Sequence, residues 1–85
     1  MKLLKFYASW CGPCKQQTKL INEYLKTHDL KILEIDVDSE DNETLVSQYG
    51  VQHLPTMILL NDDDSIKKEF SGLTLMEEID KAIKE

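Results

Sequence analysis

Both cysteines of the chain, Cys11 and Cys14, stand in one run, Trp10-Cys11-Gly12-Pro13-Cys14-Lys15. Two thiols with two residues between them can close into a small disulfide ring and reopen, which is redox chemistry. The same spacing also serves metals. A closed zinc site takes four ligands, and besides its two cysteines the chain has two histidines, His28 and His53. The expectation is therefore no metal and no added cofactor, the working redox group being the Cys11–Cys14 pair itself.

The elements that position these thiols can be read from periodicity. Lys2 to Tyr7 reads as a strand running straight into the motif. Pro13 suits a helix's first turn, where its missing N–H costs nothing, and a helix to about Thr27 follows. Cys14, Thr18, Ile21 and Leu25 fall on one face of it and the lysines on the other. This places Cys14 on the buried stripe and Cys11, more exposed, at the helix mouth.

Lys31 to Val37 is a second strand. Ser39 or Asp41 can cap a short helix that ends at Tyr49-Gly50. After a loop from Val51 to Pro55, Thr56 to Leu60 has the continuous apolar character of a central strand. Asn61 to Ser65 is a turn, and Ile66 to Phe70 returns antiparallel. Thr74-Leu75-Met76-Glu77 has the pattern of a capping box, opening a last helix with Leu75, Ile79 and Ala82 or Ile83 inward. The order β-α-β-α-β-β-α predicts an α/β layered domain spanning residues 1–85.

Composition narrows the function. With 85 residues, 41% of them hydrophobic, the chain has enough for one core and too much for disorder. A net charge of −6 without a single arginine argues against nucleic acid. No run approaches the roughly 20 apolar residues of a membrane helix. Lys5 interrupts the N-terminal apolar stretch and Trp10 is a poor residue before a cleavage site, so no secretory signal is expected. Two cysteines in such a chain point to a reducing cytoplasm.

At Trp10-Cys11-Gly12-Pro13-Cys14-Lys15 and Leu54-Pro55-Thr56 the chain resembles the thioredoxin family. Tyr49-Gly50-Val51 and Gly72 also fall where that family places such residues, and the resemblance covers nearly the whole chain. It implies a thioredoxin fold, a four-stranded mixed sheet flanked by three helices, here without the usual N-terminal strand and helix and so of glutaredoxin size. It implies Cys11 as nucleophile and Cys14 as resolving thiol. Trp10, Leu54, a cis Pro55 and Gly72 would meet the substrate, and Gly12, Pro13 and Lys15 would tune the motif. The implied partners are disulfide-containing proteins, with ribonucleotide reductase a candidate acceptor, and a thioredoxin reductase as recycling partner; a monomer is expected. A glutathione-dependent glutaredoxin-like reductase and a thioredoxin-fold assembly subunit are the competing readings.

One departure stands out. Where the family usually has a buried aspartate behind the second cysteine, this chain has Lys5; where it usually has the facing lysine, this chain has Glu34. The expectation is a reversed ion pair beneath the motif, with Glu34 supplying a carboxylate for proton transfer and Lys5 favouring thiolate. His53, two residues before Pro55, is a further candidate for tuning the disulfide, against the plainer reading of a solvated loop histidine.

Overall fold

The computed structural model describes residues 1–85. Its strands are β1 (Lys2–Tyr7), β2 (Lys31–Asp36), β3 (Thr56–Leu60) and β4 (Ile66–Ser71). Its helices are α1 (Gly12–Leu25), α2 (Glu43–Tyr49) and α3 (Met76–Lys84), with a single 3-10 turn, Glu40–Asn42, leading into α2. The sheet order is β2-β1-β3-β4. β1 is parallel to β2 and antiparallel to β3, and the β3–β4 pair is antiparallel. This is the mixed sheet expected from the element order: a helical crossover for the parallel pair and a tight turn for the hairpin.

Strand alternation divides the core in two. Leu3, Met57, Leu59 and Phe70 pack with Ile21 of α1 and Ile79 and Ala82 of α3. Leu4, Phe6, Ile35, Ile58 and Leu60 face the other way, toward Leu45, Val46 and Tyr49 of α2. Burial of each leucine, isoleucine, methionine or phenylalanine among them contributes roughly 1.5–3 kcal/mol. Every residue of β3 is buried, as its apolar run required of a strand covered on both faces. Lys5 lies on the α1 face, between Glu34 of β2 and Met57 of β3.

Several boundaries and orientations depart from the reading of the sequence. α1 closes at Leu25 rather than Thr27. β2 closes at Asp36, although the Val37 N–H still donates to Tyr7 at 2.9 Å. Neither Ser39 nor Asp41 caps by its side chain; Asn42 is the N-cap of α2, and its amide instead donates to the Asp36 carbonyl. Gly50 ends α2 in the left-handed conformation, φ 62°, as its position implied.

The capping box at Thr74 does not form. Leu75 is the N-cap of α3, and the Thr74 hydroxyl donates to the Gly72 carbonyl. The Thr74 N–H is already taken by the side chain of Gln17, which pulls the segment onto α1 and starts the helix later. Leu75 consequently points outward and is 53% exposed, not inward.

Candidate functional site

The site is assembled where β1 hands the chain to α1. Ala8 accepts the Cys11 N–H at 3.1 Å, closing a turn that leaves Cys11 as the N-cap of α1 in extended backbone. Pro13 stands in the first helical turn, where no intrahelical donor is lost. Cys11 and Cys14 are joined as a disulfide, with 5.2 Å between their Cα atoms. The Cys14 N–H donates to Cys11 Sγ at 3.1 Å, so the sulfur takes one of the free donors at the helix start. Such donors and the helix dipole favour negative charge, which is how a thiolate at this atom is stabilised once the disulfide opens.

The expected difference in exposure between the two sulfurs is not found in this oxidised form. Cys11 is 5% exposed and Cys14 2%. Ala8 clusters with the two cysteines, and Tyr7, Val37 and Leu54 pack against them. Trp10 is the exposed neighbour, at 70%, which rules out core packing for it. Its indole N–H donates to Asp38 at 2.9 Å, holding the ring against the β2–α2 loop. Gly12 and Lys15 are also exposed.

Leu54 reaches the sulfurs through its packing on the cysteine cluster. The Leu54–Pro55 peptide is cis. The Pro55 carbonyl accepts the N–H of Gly72, φ 81°, at 2.8 Å, so the segment after β4 lies beside this loop. His53 is exposed and borders a small cleft of about 120 Å³ with Tyr49, Thr56 and Phe70. His28 lies far along α1's exit, with a ring nitrogen 3.2 Å from the Tyr24 carbonyl.

Behind Cys14 a cleft of about 270 Å³ is lined by Lys5, Tyr7, Ser9, Cys14, Lys15 and Thr18. The Lys5 ammonium donates to the Thr18 hydroxyl, and Thr18 donates in turn to the Cys14 carbonyl at 3.1 Å. Lys5 Nζ also lies 3.4 Å from Glu34 Oε1. Lys5 and Glu34 are thus brought together. Glu34 borders a different and larger groove of about 540 Å³ between β2 and α2, which holds neither cysteine. Only the smaller cleft reaches a cysteine, and that cysteine is Cys14 rather than Cys11.

Gln17 escaped the sequence reading. It is fully buried, and its side-chain amide pairs with both backbone groups of Thr74. The available signal was its position three residues after Cys14, on the same inward face of α1.

A mixed sheet carrying a closed Cys-x-x-Cys disulfide at the start of a helix defines a dithiol–disulfide redox domain. The chain matches the thioredoxin family over residues 1–85 and belongs to it. It is 32% identical to thioredoxin Y1, chloroplastic, of Arabidopsis thaliana over 96% of its own length and 49% of that protein. It is 37% identical to a Staphylococcus epidermidis thioredoxin over 80% of this chain and 65% of that one. The solved structure of a variant thioredoxin from Halobacterium salinarum superposes with a TM-score of 0.82 at 34% identity, covering 96% of this chain and 70% of that one. The chain thus has the thioredoxin fold, and spans about half of the Arabidopsis relative and about two thirds of the staphylococcal one.

Proposed function

We propose that this protein is a thiol–disulfide oxidoreductase of the thioredoxin type that reduces disulfides in other proteins. The observation that carries the reading is the Cys11–Cys14 disulfide at the N-terminus of α1, with Cys11 Sγ accepting a helix N–H. In the reduced form, Cys11 thiolate attacks one sulfur of a substrate disulfide and the other substrate sulfur leaves as thiolate. Cys14, deprotonated, then attacks the Cys11 sulfur of the mixed disulfide, releasing the second substrate thiolate and closing the ring. The protein loses two electrons, the substrate gains them, and an external reductant restores the dithiol.

Leu54, Pro55, Gly72 and Trp10 form the surface on which an extended substrate segment would pair by strand addition. Lys5 and Glu34 tune the resolving thiol from behind, Lys5 as the nearer charge. The pair works without an added cofactor, as a monomer in a reducing cytoplasm, with a thioredoxin reductase as electron donor and enzymes such as ribonucleotide reductase as acceptors. The family assignment favours this over a glutathione-dependent reading; no helix is long and apolar enough to cross a membrane.

The test is reduction of insulin disulfides with dithiothreitol as reductant, then with thioredoxin reductase or glutathione as the sole electron source. Turnover that requires Cys11 and accepts electrons from the reductase supports the proposal. A Cys11→Ser, Cys14→Ser double variant that fully supports the protein's role in its host would sink it in favour of an assembly role.

A further inference from the structure

Gln17 does something that no apolar residue in its place could do. Its Nε2 donates to the Thr74 carbonyl at 2.9 Å and its Oε1 accepts the Thr74 N–H at 2.8 Å. A side-chain amide has the same donor and acceptor as a peptide group, so the contact is a two-bond bridge like that of a paired strand. Gln17 is 0% exposed and Thr74 6%, so neither bond has water as a substitute.

The bridged segment adjoins the loop that packs on the cysteines. Gly72 donates to the Pro55 carbonyl at 2.8 Å, Pro55 follows the Leu54 that packs on the cysteines, and the Thr74 hydroxyl donates to the Gly72 carbonyl at 3.0 Å. Gly72-Leu73-Thr74 is therefore clamped between the loop before β3 and the helix that carries Cys14. Leu73, inside the clamp, is 48% exposed. The Nε2 of Gln17 also lies 3.9 Å from Met76 Sδ, at the start of α3.

We infer that Gln17 is a positioning residue for substrate binding: it ties the Gly72–Thr74 segment to α1, so that Leu73 and the Gly72 backbone are presented at a fixed height beside the disulfide. The inference rests on the protein-disulfide reductase reading and adds to it a determinant of affinity for polypeptide substrates. A large substrate needs the segment in place. A small disulfide approaching only the sulfurs needs it far less.

The experiment compares wild type with Gln17→Met, which keeps the volume and removes both bonds, and Gln17→Glu, which keeps the acceptor and loses the donor at neutral pH. Amide hydrogen exchange reads the tether directly, and steady-state reduction of insulin and of a small aromatic disulfide reads its effect. In Gln17→Met the Thr74 amide exchanges at least roughly tenfold faster, the scale of a lost buried hydrogen bond. The KM for insulin rises by about tenfold while kcat changes less than about twofold, the signature of lost binding rather than lost chemistry. The small disulfide is affected far less. Gln17→Glu keeps the acceptor for the Thr74 N–H and loses only the bond to the Thr74 carbonyl, so its Thr74 exchange lies between wild type and Gln17→Met.

Unchanged Thr74 exchange in both variants overturns the tether. Faster exchange with an unchanged insulin KM, or equal losses on both substrates, overturns the binding role. A wild-type protein that does not reduce insulin at all fails at the level of the proposed function, and is told apart because the variants are then not needed to see it.

Discussion

Lys5 and Glu34 sit opposite each other in the parallel pairing of β1 with β2, with Nζ 3.4 Å from Oε1, yet their environments are unequal. The Lys5 side chain is 2% exposed and that of Glu34 51%. The buried member is thus the cation, and it lines the cleft behind Cys14, whereas the carboxylate stands at the edge of the sheet in partial contact with water. Of the two, Lys5 shares a cleft with Cys14, and Glu34 stands outside it as the counter-charge.

This asymmetry separates stability from reactivity. Replacing Lys5 by Met leaves Thr18 still bonded to the Cys14 carbonyl and Glu34 free to hydrate, so unfolding free energy should change by no more than about 1 kcal/mol. Glu34→Gln withdraws the counter-charge from a buried ammonium and should cost about as much or more, reduced by Glu34's exposure. The reactivity effect runs the other way. Without the ammonium, the thiolate form of Cys14 loses a favourable charge, and the pH profile of the resolving step moves to higher pH in Lys5→Met. Denaturant titration and single-turnover kinetics across pH check both; a profile that stays in place removes Lys5 from the mechanism.

Cys14→Ser should leave Cys11 able to attack and unable to be released. Turnover on insulin should fall by at least roughly a hundredfold. A covalent adduct of this chain with the substrate should accumulate, visible as a reducible species by mass spectrometry. Cys11→Ser should lose turnover without forming the adduct, because the attacking atom is gone.

The Tyr24–Asp80–Lys84 cluster ties α1 to α3 and makes stability depend on pH at both extremes. Tyr24 donates to Asp80 at 2.7 Å, and Lys84 pairs with Asp80 at 2.7 Å. Desolvation, followed by the bond to Asp80, raises the Tyr24 hydroxyl to about 12. A folded-state value above the unfolded one of about 10 gives stability that is complete below about pH 10 and is lost as pH rises toward 12. The bonds from Lys84 and Tyr24 lower the Asp80 carboxyl, so its contribution is present above the ordinary carboxylate range and lost as pH falls through it. Thermal unfolding against pH should show a shallower alkaline decline in Tyr24→Phe and a shallower acid decline in Asp80→Asn.

At Gly50 the cost of a side chain is set by backbone alone. The residue has φ 62°, and a Cβ added there meets no atom within 4 Å. Gly50→Ala should destabilise by about 1 kcal/mol, the penalty of the left-handed conformation for an L-residue, and Gly50→Asn by less. Chemical denaturation of both variants measures the difference.

Much of this molecule is local in origin and was legible in its residues. Cys-Gly-Pro-Cys after an apolar strand announces a redox ring at a helix start, because two thiols separated by two residues and a proline-tolerant first turn are properties of four consecutive residues. The alternation of Leu3, Lys5 and Tyr7 against Ile32, Glu34 and Asp36 placed the charged pair on one face, because a strand's period is two and parallel pairing keeps faces together. Gly50 terminated its helix for an equally local reason.

What only the tertiary structure decided concerns groups whose partners are distant in sequence. Gln17 meets Thr74, 57 residues away, and by taking that backbone it cancels a capping box that the local pattern Thr74 to Glu77 would favour and turns Leu75 outward. Cys11 is buried because Leu54 and Val37 close over the ring, not because of its helical position. Which of Lys5 and Glu34 is buried follows from sheet order: β1 lies inside the sheet and β2 at its edge, so equal alternation yields unequal access to water. Periodicity assigns a side chain to a face; only packing decides what covers that face and which hydrogen bonds remain for it to make.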